Sequence, residues 1–257
     1  MLITSHAGIA PSLTWQAIAD VLPGIKLEHV AEIDSTNSEL IRRARAHVLE
    51  SVLLVSDRQT AGRGRFGRSW HTAATEGSAL TFSLGRPLLR TDLSGLSLAV
   101  GVAIAASLHP ELQLKWPNDI WLNERKLAGI LIETATVNQI RYVVIGVGVN
   151  LTQPLLTGLP TPPAWLQELM PNVNPVQTLQ RIAAPLLESV ERFSAQGFAA
   201  FRADFQRLDL LKGRAVSLSD GVQGIAQGVD ARGALLVHTS EGERVIESAQ
   251  LSVRPVN

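Results

Sequence analysis

Two hydrophobic periods alternate along the chain. Thr36-Asn37-Ser38-Glu39 has the form of a capping box, and Leu40, Ile41 and Ala44 follow at helical spacing, so a helix is predicted over 36–46. Residues 51–56 are a short apolar, β-branched run, and 79–84 alternate as a half-buried strand does. The weakly polar stretch 93–110 is broken by Ser94, Ser97, Ser107 and His109, which predicts a buried helix over 94–108 rather than a membrane span. Four strands follow, over 113–115, 120–122, 128–133 and 141–150. Residues 151–175 hold six of the thirteen prolines and read as irregular connection. Two helices, over 176–194 and 198–208, come next. Beyond them Gly213, Gly221, Gly224, Gly228, Gly233 and Gly242 punctuate short alternating runs such as 234–238 and 243–246, the texture of a small β-barrel or sandwich. Strands with helices inserted, but no regular βαβ alternation, predict an α+β fold: a central mixed or antiparallel sheet carrying helices on one face, then the small all-β unit. The boundary falls near Lys212, giving domains 1–211 and 212–257.

Composition narrows the function. The 257 residues are 46% hydrophobic and 18% charged, which excludes a disordered chain. The absence of Cys excludes disulfides, zinc–thiolate clusters and thiol nucleophiles. Lys plus Arg number 23, as do Asp plus Glu, so any anion site is local rather than a property of the whole surface. Residues 1–10 contain no Lys or Arg and no apolar core, unlike a signal peptide, which predicts a cytoplasmic protein with no membrane partner.

Four segments carry candidate chemistry. The first is Gly62-Arg63-Gly64-Arg65-Phe66-Gly67-Arg68-Ser69-Trp70. Its glycines permit close backbone approach, and its guanidinium forks match carboxylate or phosphate oxygens. By composition this loop reads as an anion clamp, a solvated basic turn or a nucleic-acid contact. In Lys115-Trp116-Pro117-Asn118-Asp119 a turn places Lys115 at a strand end, either facing a cavity or solvated on a plain hairpin. Lys126-Leu127-Ala128-Gly129-Ile130-Leu131-Ile132-Glu133 is a core strand in which Gly129 hints at close approach. Asp34-Ser35-Thr36-Asn37 is a helix cap that also offers free N–H groups to an amide-like ligand. Gly146-Val147-Gly148-Val149-Asn150 lacks the third glycine and following helix of a dinucleotide fingerprint and reads as a strand end.

These segments, in this order together with Gln59, resemble the biotin protein ligase family over about 32–150, and residues 213–255 resemble its SH3-like C-terminal domain. The resemblance implies a class II synthetase-like catalytic domain that joins biotin and ATP into biotinyl-5′-AMP, with Mg²⁺ carried by ATP and no metal ligand assigned in the protein. Biotin then passes to one lysine of a biotin carboxyl carrier protein. It implies biotin against Ser35, Thr36, Asn37, Gln59, Arg63, Gly64, Arg65 and Lys115. Catalysis would fall to Lys115, Arg63 and Arg65. The adenylate would meet Arg65, Arg68, Trp70, Lys115, Asn118 and Asn150. Trp70 either covers adenine or anchors the loop. Only 33 residues precede Asp34, so the expectation is a monofunctional ligase without DNA binding, a monomer or weak homodimer. Two other readings stand beside it: a lipoate or octanoate ligase, whose pocket takes a long apolar chain, and a nucleic-acid module, which the balanced charge and single Tyr disfavour.

Overall fold

The computed structural model describes residues 14–20, 22–70, 77–154 and 163–247, together with the backbone of 253–255. The readings made on 1–10 and 155–162 lie outside them. A short helix α1 (Trp15–Ala19) precedes strand β1 (Lys26–Ile33), helix α2 (Thr36–Arg45) and strands β2 (Val52–Gln59) and β3 (Ala79–Pro87). Helix α3 (Leu96–Leu108) leads to β4 (Gln113–Lys115), β5 (Asp119–Leu122), β6 (Arg125–Val137) and β7 (Ile140–Asn150). Helices α4 (Pro175–Gln196) and α5 (Arg202–Leu208) complete the larger part of the chain.

The seven strands form one sheet in the order β1-β2-β3-β7-β6-β5-β4. Only β1 and β2 run parallel, because α2 crosses over between them; every other pair is antiparallel. The mixed sheet matches the sequence reading, but helices on one face is corrected. In β2, Leu53 and Val55 enter the large core that α3 and α4 cover, whereas Val52 and Leu54 meet Leu40, Ile41 and Ala44 of α2 on the opposite side. The unbroken apolar run in β2 is the signature of a strand buried on both faces. Helix α3 is apolar nearly all round because it lies between the sheet and α4.

A second, antiparallel sheet joins β8 (Ala215–Leu218), β9 (Gln223–Val229), β10 (Leu235–Thr239), β11 (Gly242–Ile246) and β12 (Val253–Pro255) in the order β11-β10-β9-β8-β12. Its apolar face is continuous with the main core: Val216, Ala226, Leu235 and Val237 belong to the same buried cluster as Trp116 and Phe198. Two polar links reinforce the junction. The buried Trp116 indole N–H donates to the Gly233 carbonyl (3.0 Å), and Arg202 Nε donates to Val229 O (2.9 Å). No described helix is long and apolar enough to cross a membrane.

Candidate active site

The site is built on the α2 face of the sheet, at the end where the strands lose bulk. Gly146 and Gly148 point to this face from β7, and Gly129 lies opposite Gly148 in the β6–β7 register. A Cβ on Gly146 would sit 2.8 Å from Asn37 Cγ, and one on Gly148 would sit 2.5 Å from Trp70 Cζ2. The missing side chains are therefore room for two others.

Above this floor stands the start of α2. Ser35 is its N-cap, its Oγ accepting from Ser38 N–H (3.3 Å). Thr36 N–H donates to Gln59 Oε1 (2.8 Å), tying α2 to the end of β2. Asn37 Nδ2 donates to Glu133 Oε2 (2.9 Å) and Leu131 O (3.3 Å). Ser35, Thr36 and Asn37 are all buried, and all three border the cavity.

The Gly62–Trp70 segment folds as a small hairpin over the cavity. Gly64 N–H donates to Arg68 O (2.7 Å) and Trp70 N–H to Gly62 O (2.9 Å), while Arg63 and Ser69 pair as a bridge. The turn is made by Phe66 (φ 56°) and Gly67 (φ 72°); the Phe66 ring is exposed, and the Arg65 guanidinium lies 4.7 Å from its centre. The Trp70 indole seats on the bare Gly129–Gly148 pair. Its Nε1 is buried without a hydrogen-bond partner among the described residues.

Five cationic side chains border the same space: Arg63, Arg65, Arg68, Lys115 and Lys126. Arg63 is held by Glu133 (3.0 Å), and Arg65 reaches Asn118 Oδ1 (3.3 Å). Burial makes the Arg65 guanidinium easier to deprotonate than usual, opposed by the nearby Asp119 carboxylate. Lys126 Nζ lies 2.7 Å from Asp119 Oδ1 without hydrogen-bond alignment, so that contact is chiefly Coulombic. Lys115 Nζ stands 5.1 Å from the Trp121 ring centre.

Of the residues expected from sequence, Ser35, Thr36, Asn37, Gln59, Arg63, Gly64, Arg65, Arg68, Trp70, Lys115 and Asn118 come together around one cavity. Asn150 does not. It is buried beyond the cavity wall, and its Nδ2 donates to Ala164 O (3.0 Å). Asp119 and Lys126, which stand in two of the candidate segments but were given no place in the site, join the lining, as does Phe82. Strict alternation along β6 would put Lys126 on the same face as the core residues Ala128 and Ile130. A register shift between Ile120 and Trp121 inserts Leu127 as an extra residue, so Leu127 turns into the core and Lys126 toward the cavity. Among the described residues no group of three or more His, Asp or Glu side chains is placed to hold a metal ion.

Comparison with known proteins agrees with this geometry. The biotin/lipoate A/B protein ligase family model matches residues 31–150, and the biotin protein ligase C-terminal domain model matches residues 213–254. The chain is 33% identical to the biotin--[acetyl-CoA-carboxylase] ligase of Mycobacterium tuberculosis, covering 96% of this chain and 97% of that one. It is 32% identical to the bifunctional ligase/repressor BirA of Escherichia coli, covering 88% of this chain and 73% of that protein. The structure of biotin protein ligase from Aquifex aeolicus in complex with biotin and ATP aligns with a TM-score of 0.76 at 28% identity, covering 90% of this chain and 99% of that one. With its polar helix start, arginine hairpin and lysines gathered on one glycine floor and an SH3-like tail behind them, this chain belongs to the biotin protein ligase family.

Proposed function

We propose that the protein activates biotin with ATP to form biotinyl-5′-AMP and pyrophosphate, and then transfers biotin to the acceptor lysine of a biotin carboxyl carrier protein. The observation that carries this reading is the meeting of two unlike halves in one cavity. One half is the set of polar groups at the buried Ser35, Thr36 and Asn37 and the half-buried Gln59, suited to a ureido ring; the other is the cluster of cations at Arg63, Arg65, Arg68, Lys115 and Lys126. Leu131, opposite Gly146 on the same face, supplies apolar wall for a short aliphatic chain between them. A longer lipoyl or octanoyl chain would leave the buried polar end without partners, which disfavours the alternative acyl substrate.

The chemistry asks for such a cluster. A carboxylate attacking the α-phosphate brings two anions together, a repulsion of about 4 kcal/mol at about 4 Å and an effective dielectric near 20. Lys115, Arg63 and Arg65 would offset it, and they would bind the more concentrated charge of the transition state better than the separated reactants. Arg68 and Asn118 would lie along the nucleotide, with Mg²⁺ arriving on the ATP phosphates. Trp70 would act by holding the hairpin in place, and the closed hairpin would shield the mixed anhydride from water. Asn150 would act only through the strand it ends. The reading includes a catalytic domain 1–211, an SH3-like domain 212–257, a cytoplasmic setting, no DNA partner, and a monomer or weak homodimer.

The direct test is incubation with biotin, MgATP and a biotin carboxyl carrier fragment, followed by mass measurement of the fragment. A gain of one biotinyl group on its lysine is expected, and no gain would overturn the reading. Lys115→Ala or Arg65→Ala should slow pyrophosphate release by about 10²–10³-fold. Unchanged release would remove that residue from the reaction.

A further inference from the structure

Glu133 and Ser83 do not border the cavity, yet the hydrogen bonds beneath it begin at one and pass through the other. Ser83 Oγ lies 2.6 Å from Asn37 Oδ1 and 2.7 Å from Thr36 Oγ1, and it carries a single proton for both. Its direction is settled one residue away. An ionised carboxylate only accepts, so Glu133 Oε2 requires the amide nitrogen of Asn37 to face it, at 2.9 Å. Asn37 Oδ1 must then turn to Ser83, and Ser83 must donate to it. Thr36 Oγ1 also lies 3.1 Å from Gln59 Oε1, but the shorter contact takes its proton, since two oxygens 2.7 Å apart need a proton between them and Ser83 has given its own to Asn37. Gln59 Oε1 accepts Thr36 N–H, which leaves Gln59 Nε2 as a donor.

We propose that Glu133 is a positioning residue that fixes the donor and acceptor polarity of the buried pocket end through Asn37, Ser83 and Thr36, and so selects a ligand whose N–H groups meet an acceptor at Thr36. Its second oxygen holds Arg63 NH1 at 3.0 Å, so the same carboxylate joins the α2 start to the arginine hairpin. The inference rests on the biotin reading and names what makes its pocket specific for a cyclic urea. A neutral amide at this position weakens the constraint, because a glutamine side chain offers either a donor or an acceptor to Asn37, and only the longer bond to Leu131 O (3.3 Å) then still keeps the amide nitrogen on that side.

The test compares the unsubstituted protein with Glu133→Gln, Ser83→Ala and the double variant. Biotin Kd is measured by calorimetry without ATP, and thermal melting confirms that each variant is folded. Each single change is expected to raise Kd at least tenfold, with the double variant no worse than the weaker single, because both interrupt one chain of protons. Ser83→Ala leaves Arg63 and its ion pair untouched, so it separates polarity from loop charge. Multiplying losses in the double variant, or a folded single variant that binds as the unsubstituted protein does, would overturn the proposal while leaving the biotin reading in place. Failure of the unsubstituted protein to bind biotin would overturn both.

Discussion

Gly148 illustrates what one absent side chain does. With Gly129 directly across the ladder, it leaves a bare patch on which the Trp70 indole rests, and Lys126 Nζ stands 5.9 Å from that ring. Gly148→Ala places a methyl group inside the indole, so either the strand or the hairpin must shift. The expected cost is about 1–3 kcal/mol of stability, as overpacking of a tight site gives, together with a loss of adenylate formation larger than the loss of melting temperature. Denaturant unfolding and pyrophosphate release measure the two. The sequence displayed Gly146 and Gly148 but gave no sign of their partners, since Asn37 and Trp70 are more than seventy residues away along the chain. The arginines were legible for the opposite reason, since a charge cluster is a local signal, whereas the capping box predicted from Thr36 to Glu39 falls one residue late: Ser35 is the cap, and Glu39 pairs with Arg42 and Arg43. Lys126 opens one of the candidate segments, but its turn toward the cavity was hidden by the Leu127 insertion, because a bulge reverses the face that alternation assigns and leaves no mark in composition.

At the scale of elements, the start of α2 has two duties. Ser35 caps the helix and also borders the cavity, and Asp34 is held by a forked contact from Arg42 (2.7 and 3.0 Å) that draws its carboxyl below the usual range. Ser35→Ala should lower stability by about 1 kcal/mol in the absence of any ligand, the usual worth of a side-chain cap, and should weaken biotin binding besides. Melting with and without biotin separates the two effects. Helix α3 was readable as an unbroken apolar run and α4 from its helical period, though Asn174 and Pro175 open it one residue earlier than that period suggests; β1, which mixes charged and apolar residues and is half exposed, was not predicted. Which face each helix covers was not readable. That depends on β2 and β7 being buried on both sides, and an apolar run does not say which of its neighbours lies above and which below.

For the whole molecule, the two sheets share one core rather than meeting at a linker. Asp209 sits at their seam, where its Oδ1 accepts Leu211 N–H (2.9 Å) and its Oδ2 is buried without a hydrogen-bond partner among the described residues. Burial pushes its carboxyl above the ordinary value of 3.8, against the opposing backbone hydrogen bonds and Lys212. A carboxyl that holds its proton more tightly when folded weakens the fold as pH rises above the unfolded value, and the penalty is complete once pH exceeds the folded one. Asp209→Asn should therefore raise the melting temperature at pH 7, and the gain should shrink as pH falls toward 3.8. A gain independent of pH would assign the effect to something other than ionisation.

The bond from Trp116 to Gly233 spans that same seam, one residue from Lys115 in one direction and two from Asn118 in the other. The reactive wall and the terminal barrel are consequently a matched pair. In a chimaera, a tail borrowed from a cousin would have to bring a carbonyl to the same spot, and a graft chosen for its surface alone would leave the Lys115 side of the cavity without its brace.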